Sequence, residues 1–213
     1  MKLILHNYWR SSASHRVRIT LGLKQLAYDY VPIGLGGTQK SDAYTAMNPM
    51  QQVPTLEIVE DGGSHLLLTQ SVAICEYLEE RWPEHPILPR DVYLRARCRA
   101  LAEIINSGVQ PMQNLSTTTK VKELGGDDVG WVRGFIEKGL AAFASLAKGT
   151  AGQFCVGDSP TLADVFLIPQ LASTRRFSAD ISSLTLLTRI EERCLAMPAF
   201  AAAAPDKQPD AKA

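Results

Sequence analysis

Asn7-Tyr8-Trp9-Arg10-Ser11-Ser12-Ala13-Ser14-His15-Arg16-Val17-Arg18 is the stretch on which the fold turns, because a short strand runs into a helix there through a serine-rich corner. Upstream, Leu3, Ile4 and Leu5 form the apolar run of a buried strand. Downstream, Val17, Leu21 and Lys24 lie four and three apart, with Ile19 and Leu23 beside them, as in a packed helix. A serine at the junction caps that helix with its hydroxyl. The first turn of a helix carries N–H groups without intrahelical partners and the positive end of the dipole. A hydroxyl placed there stands beside a site that favours an anion, and a thiolate would qualify. Taken alone, paired serines at a helix start read as caps; other stretches decide whether they are more.

Composition narrows the classes. The 213 residues are 46% hydrophobic and 21% charged, an ordinary globular balance with room for one large or two small domains. Lys plus Arg equals Asp plus Glu at 22 each, which removes any global electrostatic case for nucleic acid or an anionic membrane. Arg90, Arg95, Arg97 and Arg99 do not form one patch, since 95 and 99 share a helix face and 97 points elsewhere. Aromatic residues are not interleaved with them, so stacking on bases has no support. No apolar run approaches the length of a membrane span, and the opening residues are too soon interrupted for a secretion signal, so the cytoplasm is the expected compartment. Cys75, Cys98, Cys155 and Cys194 are widely spaced, without a C-x-x-C, and His6, His15, His65 and His85 do not cluster with them. The cysteines read as small buried hydrophobes kept reduced, and no metal site is expected.

In chain order, residues 28–33 read as a second strand, and two strands joined by one helix make a parallel pair. Residues 41–47 read as a short helix or turn and Asn48-Pro49 as a breaker. Thr55 to Val59 alternates as a strand, Asp61-Gly62-Gly63 signals a hairpin, and residues 65–68 pair back. Pro54 stands at a strand start, where a cis bond would turn the Val53 backbone outward. Ser71 to Trp82 is an amphipathic helix with Ser71 as its cap. Prolines 83, 86 and 89 then make a stiff linker. The expected division is a first domain over residues 1–82, a linker over 83–90 and an all-helical domain over 91–213. Within the latter, Leu94, Cys98, Leu101 and Ile105 recur at helical spacing, as do Val132, Ile136, Leu140 and Phe143. Thr161-Leu162-Ala163-Asp164 has the form of a capping box, and the apolar helix it opens is the expected centre of that domain. The last ten or so residues are expected to fray.

The order β-α-β, then β-β-α, then helices is that of a thioredoxin-like domain followed by a helical bundle domain. In thiol oxidoreductases of that fold a cysteine pair stands where Ser11-Ser12-Ala13-Ser14 stands here, so any sulfur must come from a ligand. Ser11-Ser12-Ala13-Ser14-His15-Arg16-Val17-Arg18-Ile19, Asn48-Pro49-Met50-x-Gln52-Val53-Pro54-Thr55-Leu56, Gln70-Ser71, Gln110-Pro111-x-Gln113-Asn114-Leu115 and Gln170 with Phe177 follow one another in order. In these motifs the chain from Leu3 to about Asp210 resembles the zeta-class glutathione transferases, the family of maleylacetoacetate and maleylpyruvate isomerases. The departure is Ala13, where that family usually has cysteine.

The resemblance implies glutathione as cofactor. Ser11 faces its sulfur with Ser12 beside it, the Val53 backbone pairs with its cysteinyl part, and Gln70 and Ser71 hold its γ-glutamyl carboxylate. Gln39, Gln110, Asn114 and Ser116 are further implied contacts. Moving a thiol pKa from about 8.5 or above to near 7 takes roughly two units, or about 2.7 kcal/mol. A hydrogen bond to a charged group supplies roughly 1.5 to 3 kcal/mol and a helix end about 0.3 to 1 more, so Ser11 and its helix suffice. Tyr8 is the competitor for that role. The implied reaction is cis-trans isomerisation of a maleyl dicarboxylate, maleylacetoacetate or maleylpyruvate, to its fumaryl isomer in aromatic catabolism. Arg10 and Arg176 are the candidate cations for the two carboxylates, because guanidinium grips a carboxylate in bidentate fashion. A homodimer is also implied. Two other classes stay open: a general transferase or dehalogenase that consumes glutathione, and a binding protein without turnover.

Overall fold

The computed structural model describes residues 1–211. It divides into two compact units, Met1–Pro86 with the C-terminal segment from Met197, and Ile87–Ala196, so the division falls inside the proline-rich stretch.

The first unit is built on four strands, β1 Lys2–Asn7, β2 Asp29–Pro32, β3 Thr55–Val59 and β4 His65–Thr69, in the order β2-β1-β3-β4. β1 and β2 are parallel, with Leu5 opposite Tyr30, and the helix α1 (Ser12–Leu23) makes the crossover that a parallel pair requires. β1 and β3 are antiparallel with Leu5 opposite Leu56, and β3 and β4 pair with Leu56 opposite Leu68. Leu3, Leu5, Leu56 and Ile58 of the sheet are buried, as are Val17, Ile19 and Leu21 of α1 and Ile74, Cys75 and Leu78 of α3 (Ser71–Arg81). Each such aliphatic side chain contributes about 1.5–3 kcal/mol of burial. On the sheet, Glu57 accepts from or pairs with His6 Nε2 at 2.9 Å and His65 Nδ1 at 2.7 Å, joining three strands. These two hydrogen bonds hold its carboxyl below the usual range. The short helix α2 (Asp42–Met47) starts at Ser41 as expected and buries Tyr44.

α1 ends in a Schellman closure: Leu26 N–H bonds Leu21 C=O at 2.9 Å, Gln25 N–H bonds Gly22 C=O at 3.1 Å, and Gln25 takes φ 56°.

The second unit holds α4 (Val92–Asn106), α5 (Leu115–Glu123), α6 (Asp128–Ala147), α7 (Leu162–Arg176) and α8 (Thr185–Leu195). Asp91 and Asp127 cap α4 and α6 through the N–H groups of Leu94 at 2.8 Å and Gly130 at 2.9 Å. The capping box opens α7: Thr161 donates its N–H and its hydroxyl to Asp164 Oδ2, each at 2.8 Å, and Cys155 N–H donates to Oδ1 at 2.9 Å. Burial raises the Asp164 carboxyl despite these bonds. α7 is buried from Leu162 to Leu171, the centre the apolar run foretold. The spacing had not singled out α5 and α8. No described helix is long and apolar enough to cross a membrane.

Two expectations need correction. Ser71 is the first helical residue of α3, and Gln70 is the cap position, without a side-chain cap bond. The C-terminal stretch is ordered rather than frayed and groups with the first unit, not with the helical one. There α9 (Pro198–Ala203) packs on α1 so closely that a Cβ on Gly22 would stand 3.2 Å from Ala199. Phe200 is fully buried, and beyond α9 the Gln208 amide donates to Ala202 C=O at 2.9 Å and Ala204 C=O at 2.8 Å. Alanine, proline and lysine carry little local signal; these partners are tertiary, and they decide the order of the segment. The last two positions of that stretch lie outside the described residues.

Candidate active site

The strand register assembles the site. His6 opposite Thr55 closes the β1–β3 ladder, and Thr55 opposite Thr69 closes the β3–β4 ladder. The chain leaving β1, the chain entering β3 and the chain leaving β4 therefore meet at one end of the sheet. These are Tyr8 to Ser11, Val53-Pro54, and Gln70-Ser71. The Val53–Pro54 bond is cis. The ladder begins at Thr55, which leaves the Val53 peptide groups outside it, and the approach is fixed by Tyr44 Oη and Asn48 Nδ2 donating to Gln52 C=O at 2.7 and 2.6 Å.

Ser11 is the cap of α1, with extended backbone, and its Oγ accepts the Ser14 N–H at 3.2 Å. With the oxygen engaged by the helix, the hydroxyl offers its proton outward. Ser11 N–H in turn bonds Tyr8 C=O at 3.0 Å. Ser12 begins the helix, and the buried Ser14 accepts the Tyr8 N–H at 3.5 Å. Arg10 is exposed beside them, its guanidinium 5.4 Å from the centroid of the Trp9 ring.

α3 opens differently. Gln70 sits at φ 69°, a left-handed value uncommon outside glycine and concentrated at functional sites. Ser71 is buried, and its Oγ accepts from Arg16 Nη1 at 3.0 Å. Arg16 lies in α1 and is 1% exposed. A guanidinium only donates, so here too the serine proton points to a partner other than the protein group that holds its oxygen. Each helix mouth thus combines a hydroxyl proton with the positive end of a dipole.

The remaining candidates belong to other segments of the chain. Gln39 Oε1 accepts the N–H groups of Gly36 at 2.9 Å and Gly37 at 3.0 Å, closing its own loop. Gln110, Asn114, Ser116 and Arg176 belong to the second unit. There Gln110 Nε2 donates to the buried Gln170 at 3.4 Å, joined by Gln113 at 3.1 Å. Asn114 and Ser116 are exposed around the start of α5. Arg176 is the exposed last residue of α7, its guanidinium 4.6 Å from the Phe177 ring centroid. So the sheet end gathers Arg10, Ser11, Ser12, Val53, Gln70 and Ser71.

None of the protein's thiols is poised for chemistry. Burial pushes Cys75 and Cys98 up to about 11 and raises Cys155 and Cys194 further, the opposite of a reactive cysteine. His15, 3% exposed, is pushed down to about 3 by burial and by Arg18, so it is neutral near pH 7. The sequence reading missed Arg16 and Arg18 as parts of the site, although two arginines inside an otherwise buried helix were a signal. It missed Asp210 too, for which no local signal exists.

Residues 10–81 match the model of the glutathione S-transferase N-terminal domain. A maleylacetoacetate isomerase from Dictyostelium discoideum is 42% identical over 99% of this chain and 97% of its own. A maleylacetoacetate isomerase from Anaeromyxobacter dehalogenans, solved with bound GSH in its active site, has TM-score 0.92 and 50% identity, covering 99% of this chain and 98% of that one. The same protein was also solved with dicarboxyethyl glutathione and citrate in its active site, at TM-score 0.90 and 47% identity over 100% of this chain and 98% of that one. A bacterial zeta-class maleyl pyruvate isomerase has TM-score 0.91 and 38% identity, covering 98% of this chain and 100% of that one. With motifs, fold and full-length likeness in agreement, the chain belongs to the zeta class of the glutathione transferases, the maleylacetoacetate isomerase family.

Proposed function

We propose that this chain is a glutathione-dependent isomerase that converts a maleyl dicarboxylate, maleylacetoacetate first and maleylpyruvate as the alternative, to its fumaryl isomer. The observation that carries the reading is Ser11: its oxygen accepts the α1 N–H from Ser14, and its proton is left for an anion at the helix mouth. Glutathione fits the donor set at this end of the sheet. It has a thiol for Ser11, a peptide unit for Val53, and a γ-glutamyl carboxylate for the start of α3 at Gln70 and Ser71. When bound, it supplies the nucleophilic thiolate for reversible addition to the substrate double bond.

The chain's own groups do the rest. Ser11 with the α1 dipole contributes roughly 1.8–4 kcal/mol toward the anion, enough for the two-unit pKa shift of about 2.7 kcal/mol. Neither His15 nor any cysteine is needed as a base or nucleophile. Arg10 supplies a cation for one substrate carboxylate, and Arg176 is the second candidate by its chemistry and exposure. Holding carboxylates while leaving the central bond free positions the substrate without blocking rotation. The dicarboxyethyl glutathione adduct and citrate carried by the Anaeromyxobacter relative support a dicarboxylate rather than a greasy electrophile. Ala13 removes the family's usual thiol but leaves the serines in place. The proposal includes a cytoplasmic homodimer acting in aromatic catabolism. Four buried free cysteines suit a reducing compartment, and the exposed Leu66 and Leu67 of β4, with exposed Met50, suit a second copy of the chain.

The decisive experiment follows a maleyl substrate by absorbance while free thiol is titrated in the same cuvette. Glutathione should be required and not consumed. Stoichiometric thiol loss would instead indicate a transferase, and activity without glutathione would overturn the reading.

A further inference from the structure

Between β1 and Ser11, the N–H and C=O groups of both Tyr8 and Trp9 are tied. Tyr8 N–H donates to Ser14 Oγ at 3.5 Å, and Tyr8 C=O accepts from Ser11 N–H at 3.0 Å and from Arg18 Nη1 at 3.4 Å. Trp9 C=O accepts from Arg18 Nη2 at 3.0 Å, and Trp9 N–H donates to Asp210 Oδ2 at 3.2 Å. Two of the groups that hold this loop come from, or lead to, the far end of the chain. Arg18 Nε donates to Ala203 C=O at 3.1 Å, while Nη1 donates to Asn7 Oδ1 at 2.9 Å. Asp210 also accepts the Tyr30 hydroxyl, so one carboxylate joins the loop to β2. A loop is ordinarily the part of a fold that opens most easily. This one carries Arg10 and Ser11, and it is closed from both sides by a buried guanidinium and a carboxylate some two hundred residues away in sequence.

We propose that the segment from Ala203 to Asp210 is a clamp on the catalytic corner, with Asp210 as a positioning residue that acts on Ser11 through the Trp9 peptide. Arg18 is the second jaw. It has a 2% exposed side chain with four acceptors, three of them around the corner and one at the end of α9. Burial lowers its pKa to about 10 while Tyr30, Tyr28 and Asp210 act in the opposite sense, so Asp210 also steadies its charge. The segment is itself braced, since Gln208 folds it back onto Ala202 and Ala204. A carboxylate is suited to the task because it accepts from two directions at once, one oxygen for Trp9 and one for Tyr30.

The clamp rests on the reading of Ser11 as the group that faces the thiol, and the test separates the two. Amide hydrogen exchange is measured on the glutathione-free protein, and the thiolate absorbance of bound glutathione is titrated, for Asp210→Ala, Asp210→Asn and Ser11→Ala, each checked for an intact fold by its melting. In Asp210→Ala the Trp9 amide should lose about tenfold or more of its protection while amides of α7 keep theirs. The bound thiol pKa should rise by about 0.5 to 1 unit, a part of what Ser11→Ala produces. Asp210→Asn keeps one acceptor oxygen and should fall between. A folded Asp210→Ala protein with unchanged Trp9 protection, or with an unchanged thiol pKa while Ser11→Ala shifts it, would overturn the clamp. A thiol pKa indifferent to Ser11→Ala would overturn the Ser11 reading and with it the route from the clamp to the thiol.

Discussion

α1 and α3 begin at the same end of one sheet, yet their first turns are finished in opposite ways. α1 has an extended cap residue whose side chain bonds the helix, on a loop tied on both sides by Arg18 and Asp210. α3 has a cap residue in the left-handed region with no side-chain cap bond, and a first residue held from behind by Arg16. A mouth finished from within holds one hydroxyl in a fixed place. A mouth without its own side-chain cap is open to a ligand carboxylate as its cap, which suits recognition of a cofactor end group. The capping box of α7 is the third variant, wholly internal and buried around Asp164, and it has only a structural task.

The largest expected effect tests whether the α1 start is the acid-sensitive one. His15 has a folded pKa of about 3 against an ordinary 6.5, so below pH 6.5 the unfolded chain takes up a proton that the folded one refuses. Stability contributed by neutral His15 is complete above 6.5, declines as pH falls, and is lost at about 3. The slope is at most about 1.4 kcal/mol per pH unit, several kcal/mol in all. His15→Gln should flatten this limb in urea unfolding measured at stepped pH; an unchanged limb would assign the acid sensitivity elsewhere.

Next comes the hydroxyl itself. Ser11→Ala should raise the pKa of bound glutathione by about one to two units, the scale of a lost charge-assisted hydrogen bond. Tyr8→Phe should leave it in place, and the reverse result would hand the role to Tyr8.

A smaller effect belongs to α3. Ser71→Ala should weaken glutathione binding by about tenfold in calorimetry, or about 1.4 kcal/mol, and leave cysteinylglycine, which lacks the γ-glutamyl group, unaffected. Arg16→Met should show a similar loss that disappears in the Ser71→Ala background. Additive losses would mean that Arg16 acts by a route other than Ser71.

The smallest belongs to Gln39, whose carbonyl closes its own loop. Gln39→Ala should change glutathione affinity by no more than about twofold, within the roughly 0.5 kcal/mol of an ordinary surface change. A tenfold loss would bring Gln39 into the binding set alongside the α3 mouth.

Much of this was legible locally. The strand-to-helix step at Ser11, the hairpin at Asp61-Gly62-Gly63 and the Thr161-Asp164 box depend on neighbours within a few residues, so spacing and residue type reveal them. The cap of α3 was misplaced by one residue because Ser71 has the right chemistry, while its oxygen is occupied by an arginine 55 positions away. Gln39 and Gln110 were ligand contacts implied by the family resemblance; the structure adds that each side chain also has a protein partner, which local sequence does not reveal.

The sequence by itself determined the two-part organisation, the thioredoxin-like succession of strands and helices, the serine corner in place of a redox thiol and, through its ordered motifs, the family. Those are properties of local patterns, in which period, caps and turn residues act over one or two turns of chain. Only the tertiary structure decided what holds the corner still. Ala203 and Asp210 lie in a stretch whose alanines, prolines and charges specify nothing alone, and their meaning comes from Arg18, Trp9 and Tyr30 across the fold. A hydrogen bond between residues so distant in sequence leaves no periodic trace, because it needs only one donor and one acceptor, and the packing of α9 against Gly22 brings them together.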